Sequence, residues 1–172
     1  VMLTALIFMV ASCFFTNVNG QSINYKSQSL FIYKFTKYVY WPEENYQGNF
    51  KIGIYGNSPI YDELKIMASL KNAGKGLKII VEKVQNPDEL KNYHIVYVPS
   101  SKSREISTIN QKTKDSPTLI VAERGGLAKK GAIINFMLME NGLLKFEINI
   151  NELEKHNLSI SEDLLKLGFK VG

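Results

Sequence analysis

The spacing of apolar and polar residues divides the chain into short runs that switch between a helical and a strand period. Lys26 to Trp41, KSQSLFIYKFTKYVYW, places Phe31, Phe35 and Tyr38 at helical spacing. Ile32, Tyr33, Val39 and Tyr40 widen that apolar sector, and Lys34 and Lys37 leave a narrow polar stripe. The pattern predicts a helix buried on two sides, ended by Pro42, which biases Trp41 away from helical angles. Its tyrosines and tryptophan serve either packing or a dimer or partner face, because such side chains suit interface cores.

Phe50 to Tyr55, FKIGIY, predicts a strand that stops at Gly56-Asn57-Ser58-Pro59. Ser58 as N-cap and Pro59 at the first helical position then open a helix from Ile60 to about Leu70. Further strands are predicted over residues 77–84, 93–98 and 117–122, separated by a glycine turn over 71–76 and a helical turn or loop at 86–90. A polar helix over 102–114 turns Ile106 and Ile109 inward.

Gly131 to Ile150, GAIINFMLMENGLLKFEINI, predicts a β-hairpin around Asn141-Gly142. An Asn-Gly pair accepts the positive φ angles of a type I′ turn. A two-residue loop would set Glu140 opposite Leu143, Met139 opposite Leu144, Met137 opposite Phe146, Asn135 opposite Ile148 and Ile133 opposite Ile150. One face would then carry Ile133, Met137, Met139, Leu144, Phe146, Ile148 and Ile150, with Asn135 as its polar member. The other would mix Ile134, Phe136 and Leu138 with Lys145, Glu147 and Asn149, a half-buried surface. Asn135 has two readings: a buried amide with partners nearby, or a contact to a ligand or partner.

After the hairpin, Asn151 with Glu154 resembles a capping box. A short helix starts at Leu153, Leu158-Ser159-Ile160 links it onward, and a last helix runs from Glu162 to Leu167, closed by Gly168. Strands alternating with helices predict a parallel sheet, and the hairpin near the C-terminus adds an antiparallel pair. The expected fold is α/β: a single three-layer domain with a mixed, mainly parallel sheet, Rossmann-like in outline.

Composition changes the picture mainly at the N-terminus. Residues 1–20 carry no charge and hold an apolar run from Met2 to about Phe15. That run suits a signal peptide better than a membrane span. Val18-Asn19-Gly20 precedes the expected cleavage point, giving a signal peptide over 1–20 and an exported domain over 21–172. The missing basic segment and a first residue Val1 place the start of the sequence inside that signal. The alternative is lipidation at Cys13 in Val10-Ala11-Ser12-Cys13. Cys13 is the sole cysteine, so cleavage after Gly20 leaves no thiol for a disulfide or a metal.

The net charge is +5, from 21 basic and 16 acidic residues. The basic residues are scattered, with no run longer than Lys129-Lys130, where a nucleic-acid protein would cluster them. No nucleic-acid partner is expected.

Candidate chemistry is sparse. Ligands of open α/β sheets bind beyond the carboxyl ends of the parallel strands. Gly56-Asn57-Ser58, Ser100-Ser101 and Glu123-Arg124-Gly125-Gly126 fall there, as turn and capping residues or as a ligand site. Asn57, Ser58, Ser100 and Arg124 are the candidate ligand-binding residues, with Arg124 as an anion contact. The chain lacks G-x-G-x-x-G and G-x-x-x-x-G-K-[ST]. His94 and His156 lack metal-ligand spacing, and Ser100 and Ser101 lack a nucleophile elbow. No catalytic residue, metal or cofactor is expected, and the residues read as an exported binding or regulatory domain.

Four segments together resemble the YfiR/HmsC-like periplasmic regulators. They are Phe31 to Val39 with Trp41-Pro42, Phe50 to Gly56, Gly131 to Phe136 with Asn141-Gly142 and Phe146 to Asn149, and Leu158 to Ser161 with Leu164 to Leu167. The resemblance implies a small, often dimeric α/β protein that acts without catalysis on an inner-membrane partner. That partner is the periplasmic part of a diguanylate cyclase, restraining cyclic-di-GMP output and biofilm formation, or of a sensor histidine kinase. Cyclase-regulating members carry cysteine pairs that respond to redox state; residues 21–172 have none, so that switch does not transfer. Tyr33, Lys37, Tyr40, Trp41, Phe136 and Leu138 are the candidate partner contacts.

Overall fold

The computed structural model describes residues 24–172. The expected signal peptide and Cys13 therefore lie outside the described residues. Helix α1 (Tyr25–Tyr38) opens on Asn24, whose side chain accepts from the Ser27 N–H at 2.9 Å. It ends three residues before the expected Trp41, because Val39–Tyr40 leaves it as strand β1. The chain continues through β2 (Phe50–Tyr55), α2 (Ile60–Leu70), β3 (Ile79–Val84), β4 (Ile95–Val98), α3 (Ile106–Thr113) and β5 (Leu119–Ala122). Then come β6 (Ile134–Leu138), β7 (Leu144–Asn149), α4 (Ile150–Lys155), β8 (Ser159–Ile160), α5 (Glu162–Leu165) and β9 (Phe169–Val171).

Among the described residues the strands form a seven-stranded sheet in the order β3-β2-β4-β5-β6-β7-β9 and a two-stranded ladder of β1 with β8. Pairing is parallel from β3 to β6. β7 then runs antiparallel to β6, and β9 parallel to β7. The sheet is mixed and mainly parallel, as expected. Its central strands are apolar on both sides: every residue of β4 and β5 is buried, the signature of a sheet covered on both faces.

The hairpin corrects the predicted register. Gly142 N–H donates to Met139 O and Met139 N–H to Leu143 O, both at 2.9 Å, enclosing a three-residue loop. Only Gly142 takes a positive φ (+78°); Asn141 does not, so the turn is not type I′. A type I turn closed by a left-handed glycine is the common three-residue solution. Leu138 now pairs with Leu144, Phe136 with Phe146 and Ile134 with Ile148. One residue of slip moves one strand's side chains to the opposite face. Ile134, Phe136, Phe146 and Ile148 share the apolar face, while Asn135 and Met137 lie across from Glu147 and Lys145.

Helix α1 lies on that apolar face. The Phe31 and Phe35 rings meet Phe146 edge-on at centroid distances of 5.3 and 5.4 Å, and Phe136 at 6.2 and 6.0 Å. On the opposite face Asn135 is fully buried and satisfied. Its Oδ1 accepts from Ala128 N–H at 2.7 Å, and its amide donates to Glu147 at 2.9 Å. This is the buried amide with partners nearby.

Three C-terminal expectations change. The cap of α4 is Asn149, which accepts from Glu152 N–H at 3.0 Å, not Asn151. Residues 159–160 pair with β1 through Val39↔Ile160 and Tyr40↔Ser159 rather than acting as a link. After α5 the chain adds β9, which had no strand signal of its own. Gly168 permits this, because a Cβ there would sit 2.6 Å from the Phe146 ring. Gly168→Ala should therefore cost about 1–3 kcal/mol through overpacking, measured by chemical denaturation. An unchanged midpoint would show that the last strand adjusts freely.

Candidate functional site

The five parallel strands are wound outward in both directions from β2 and β4, and the direction reverses between them. That reversal leaves a crevice beyond the strand carboxyl ends, the usual ligand position in such sheets. Three segments meet there: Gly56-Asn57-Ser58 after β2, Pro99-Ser100 after β4, and Glu123-Arg124 after β5. Gly56 takes φ +90°, which turns the chain sharply out of the sheet toward α2. The backbone of Glu123 is tied to β4 by its N–H donating to Val98 O at 3.0 Å.

Side chains from α1 close the crevice. Tyr97, fully buried on β4, donates its hydroxyl to Gln28 Oε1 at 2.7 Å. Glu123 is 7% exposed, and its Oε2 accepts from Ser100 N–H at 2.5 Å. Its Oε1 is buried with no hydrogen-bond partner, and none of the ion pairs among the described residues includes it. Burial first, then a hydrogen bond to the Glu123 carboxylate and its charge, push the Tyr25 phenol up. Burial first, then the charge of the Glu123 carboxylate and a hydrogen bond to it, push Tyr97 up. Asn57 and Ser100 are exposed at the rim, with Tyr25 and Ser58 half-buried between rim and floor.

The predicted residues divide. Asn57, Ser58 and Ser100 do gather at the crevice, but Arg124 is exposed beside it, and the buried charge is Glu123. A carboxylate there favours a cation over the anticipated anion. Sequence reasoning placed Glu123 in a strand-end loop but chose Arg124 from that loop, and it passed over Tyr97, Gln28 and Tyr25. The one available signal was an acidic residue directly after the apolar run of β5.

Of the candidate partner contacts, Trp41 (5% exposed) and Phe136 (1%) belong to the core and cannot present a side chain to a partner. Trp41 packs edge-on against Phe50 at 5.0 Å, which the sequence could not distinguish from exposure. Tyr33 is half-buried beneath the ammonium groups of Lys37 and Lys71, 5.7 and 6.0 Å from its ring. Lys37 donates to Ala73 O at 2.9 Å, so its charge ties α1 to the loop that follows α2. Tyr40 and Leu138 remain exposed.

Both histidines have their ring nitrogens engaged within the fold. His94 Nδ1 accepts from Lys51 N–H at 3.0 Å, and Nε2 faces Asn45 O at 2.8 Å, which defines a neutral ring. His156 faces Ser116 O at 3.2 Å and Asn110 at 3.5 Å. No group of three or more His, Cys, Asp or Glu positioned for a metal occurs among the described residues, and none of their helices is long and apolar enough to cross a membrane.

The arrangement defines a doubly wound α/β domain with a polar crevice at the switch point and a hairpin projecting from the same end of the sheet. Residues 25–168 match the YfiR/HmsC-like family, and the chain belongs to that family. Its known members are periplasmic regulators that interact with membrane signalling proteins, and it is a regulatory family rather than one known for enzymes. A search of curated proteins found no match. Among solved structures, a conserved domain protein from Vibrio cholerae O1 biovar El Tor is similar, with a TM-score of 0.57 at 12% identity. So is an ABC domain in complex with L-Trp from Streptococcus pneumoniae, with a TM-score of 0.51 at 13% identity. Each match covers 86% of this chain, which spans 60% of the other chain. At these identities the likeness establishes the fold alone.

The histidines make stability pH-dependent. Burial is the main cause that lowers the pKa of both His94 and His156 below the usual histidine value. A lowered folded-state pKa leaves the unfolded chain binding more protons below about pH 6.5. Their contribution is thus complete above that pH and lost as pH falls toward the folded values. The melting temperature should drop between pH 7 and pH 5, with a shallower drop in His94→Gln, whose amide can still accept and donate. An identical slope in that variant would remove His94 from the explanation.

Proposed function

We propose that this protein is an exported, non-enzymatic regulator that binds the periplasmic sensor region of an inner-membrane signalling protein, a diguanylate cyclase or a sensor histidine kinase, and controls its output. Membership of the family supports the class of function. The observation that carries the interaction is the tip of the β6–β7 hairpin. Leu138, Met139 and Leu143 surround its turn and are 38%, 38% and 56% exposed. Turns of this kind are ordinarily built from polar residues, and clustered exposed apolar side chains mark interaction surfaces. Leu138 is the candidate contact that lies in this surface; Tyr40, Tyr33 and Lys37 lie on the α1 side and suit a homodimer or a second contact. Delivery by a signal peptide over residues 1–20, or anchoring through Cys13, belongs to the same reading.

In-cell cross-linking of the tagged protein in its native host, followed by mass spectrometry of the membrane fraction, tests it. One membrane cyclase or kinase should be recovered through its periplasmic part. Replacing Leu138 and Leu143 together by Asp should reduce its recovery about tenfold or more while the melting temperature stays near that of the parent. Undiminished recovery by the folded variant would move the interface elsewhere.

A further inference from the structure

We propose that the outer edge of β9 takes up an extended segment of the membrane partner, one in which acidic residues alternate with apolar ones. The inference rests on the regulatory reading and adds to it the mode of docking and the chemistry of the docked segment. Strand β9 closes the seven-stranded sheet, and among the described residues no strand pairs with its outer side. An edge strand presents a row of unpaired N–H and C=O groups, a template for one more strand. The opposite edge, β3, is guarded: Glu82 and Lys83 are exposed there, and its apolar side chains are not. Strand β9 instead leaves Phe169 47% exposed, and Leu167 just before it is 45% exposed. Because β9 runs parallel to β7, its amino end is the one nearer the hairpin turn. Leu167 and Phe169 therefore lie toward the surface formed by Leu138, Met139 and Leu143.

Register sets which side chains an added strand would meet. Lys170 lies opposite Ile148, on the sheet face that α1 covers, and Phe169 lies opposite Glu147, on the other. On the first face Lys170 joins Glu162, Leu165 and Lys166 around an open cavity of about 300 Å³. Lys166 is 3.9 Å from Asp163, whereas Lys170 enters none of the ion pairs among the described residues. A carboxylate of the added strand would meet Lys170 at this cavity. Successive side chains of a strand alternate between faces, so the residues flanking that carboxylate would rest on Phe169 and should be apolar. A second copy of β9 is a poorer occupant. Paired edge to edge, two copies would gather both sets of Lys166 and Lys170 on one face, and like charges across a strand pair destabilise it.

The test titrates the full chain with an end-blocked peptide, Val-Glu-Val-Glu-Val, read by fluorescence anisotropy and by the amide NMR shifts of β9. Two control peptides replace glutamate by lysine, or carry an N-methyl group at every residue, which keeps the side chains and removes the edge donors. The glutamate peptide should bind with a Kd below about 1 mM and shift the β9 amides, and both controls should bind about tenfold more weakly or not at all. Lys170→Glu, at an exposed position, should weaken the glutamate peptide about tenfold and reverse the preference toward the lysine peptide. Phe169→Ser should weaken the glutamate peptide about fivefold. In the native host, both variants should also reduce cross-linking to the membrane partner. A partner recovered undiminished by both variants overturns the inference and leaves the regulatory reading standing. Recovery of no partner defeats the regulatory reading, and the peptides then decide the edge by themselves. The inference also falls if the glutamate peptide does not bind, if either control binds as tightly, or if Lys170→Glu leaves the preference unchanged.

Discussion

The pairing of Phe136 with Phe146 is the constraint on which the rest of the structure depends. It exists because the hairpin closes through Glu140, Asn141 and Gly142 rather than through a two-residue turn. Both rings then lie on one face, and α1 is held against them by Phe31 and Phe35. Truncating one of these buried aromatics would forfeit about 3–5 kcal/mol, a large share of a domain's net stability. The same register sends Asn135 to the opposite face, where Ala128 and Glu147 satisfy its amide. In the two-residue register Phe136 would share a face with Lys145 and Glu147.

Docking of α1 on that face has consequences at the far end of the helix. Its first turns carry Tyr25 and Gln28 over the carboxyl ends of the parallel strands, where Gln28 meets Tyr97. The crevice is therefore built jointly by the sheet and by a helix whose position the hairpin determines. The loop after Glu123 also touches the hairpin, since a Cβ on Gly125 would lie 3.2 Å from Met137 Cγ. Crevice and hairpin tip are thus neighbours joined by a short, tightly packed segment.

The two ends of the sheet are treated differently. At the amino ends of β2, β4 and β5, His94 and Trp41 pack around Phe50; both His94 ring nitrogens are engaged by backbone, while Trp41 Nε1 is buried without a partner. At the carboxyl ends a buried carboxylate is left half-satisfied. Each end thus keeps one buried polar atom without a partner in the fold.

Periodicity and turn chemistry in the sequence determined the architecture. The apolar runs of β2, β4 and β5, the helical spacing of Phe31 and Phe35, and the Asn-Gly turn each carry their signal within a few residues. Those signals are local, so α2 and the parallel strands could be read with only their ends displaced. Three matters were decided by tertiary structure alone. The hairpin register turned on one residue of loop length, and the packing of Phe136 under α1 selected it over the type I′ turn that Asn141-Gly142 equally permits. Strand β9 is only three residues long, too short to signal itself, and forms because Gly168 lets the chain pass Phe146 and reach the open edge of β7. The crevice joins Tyr25, Tyr97 and Glu123 across almost a hundred residues of sequence. No spacing rule connects them, because their proximity is produced by the winding of the sheet and the docking of α1.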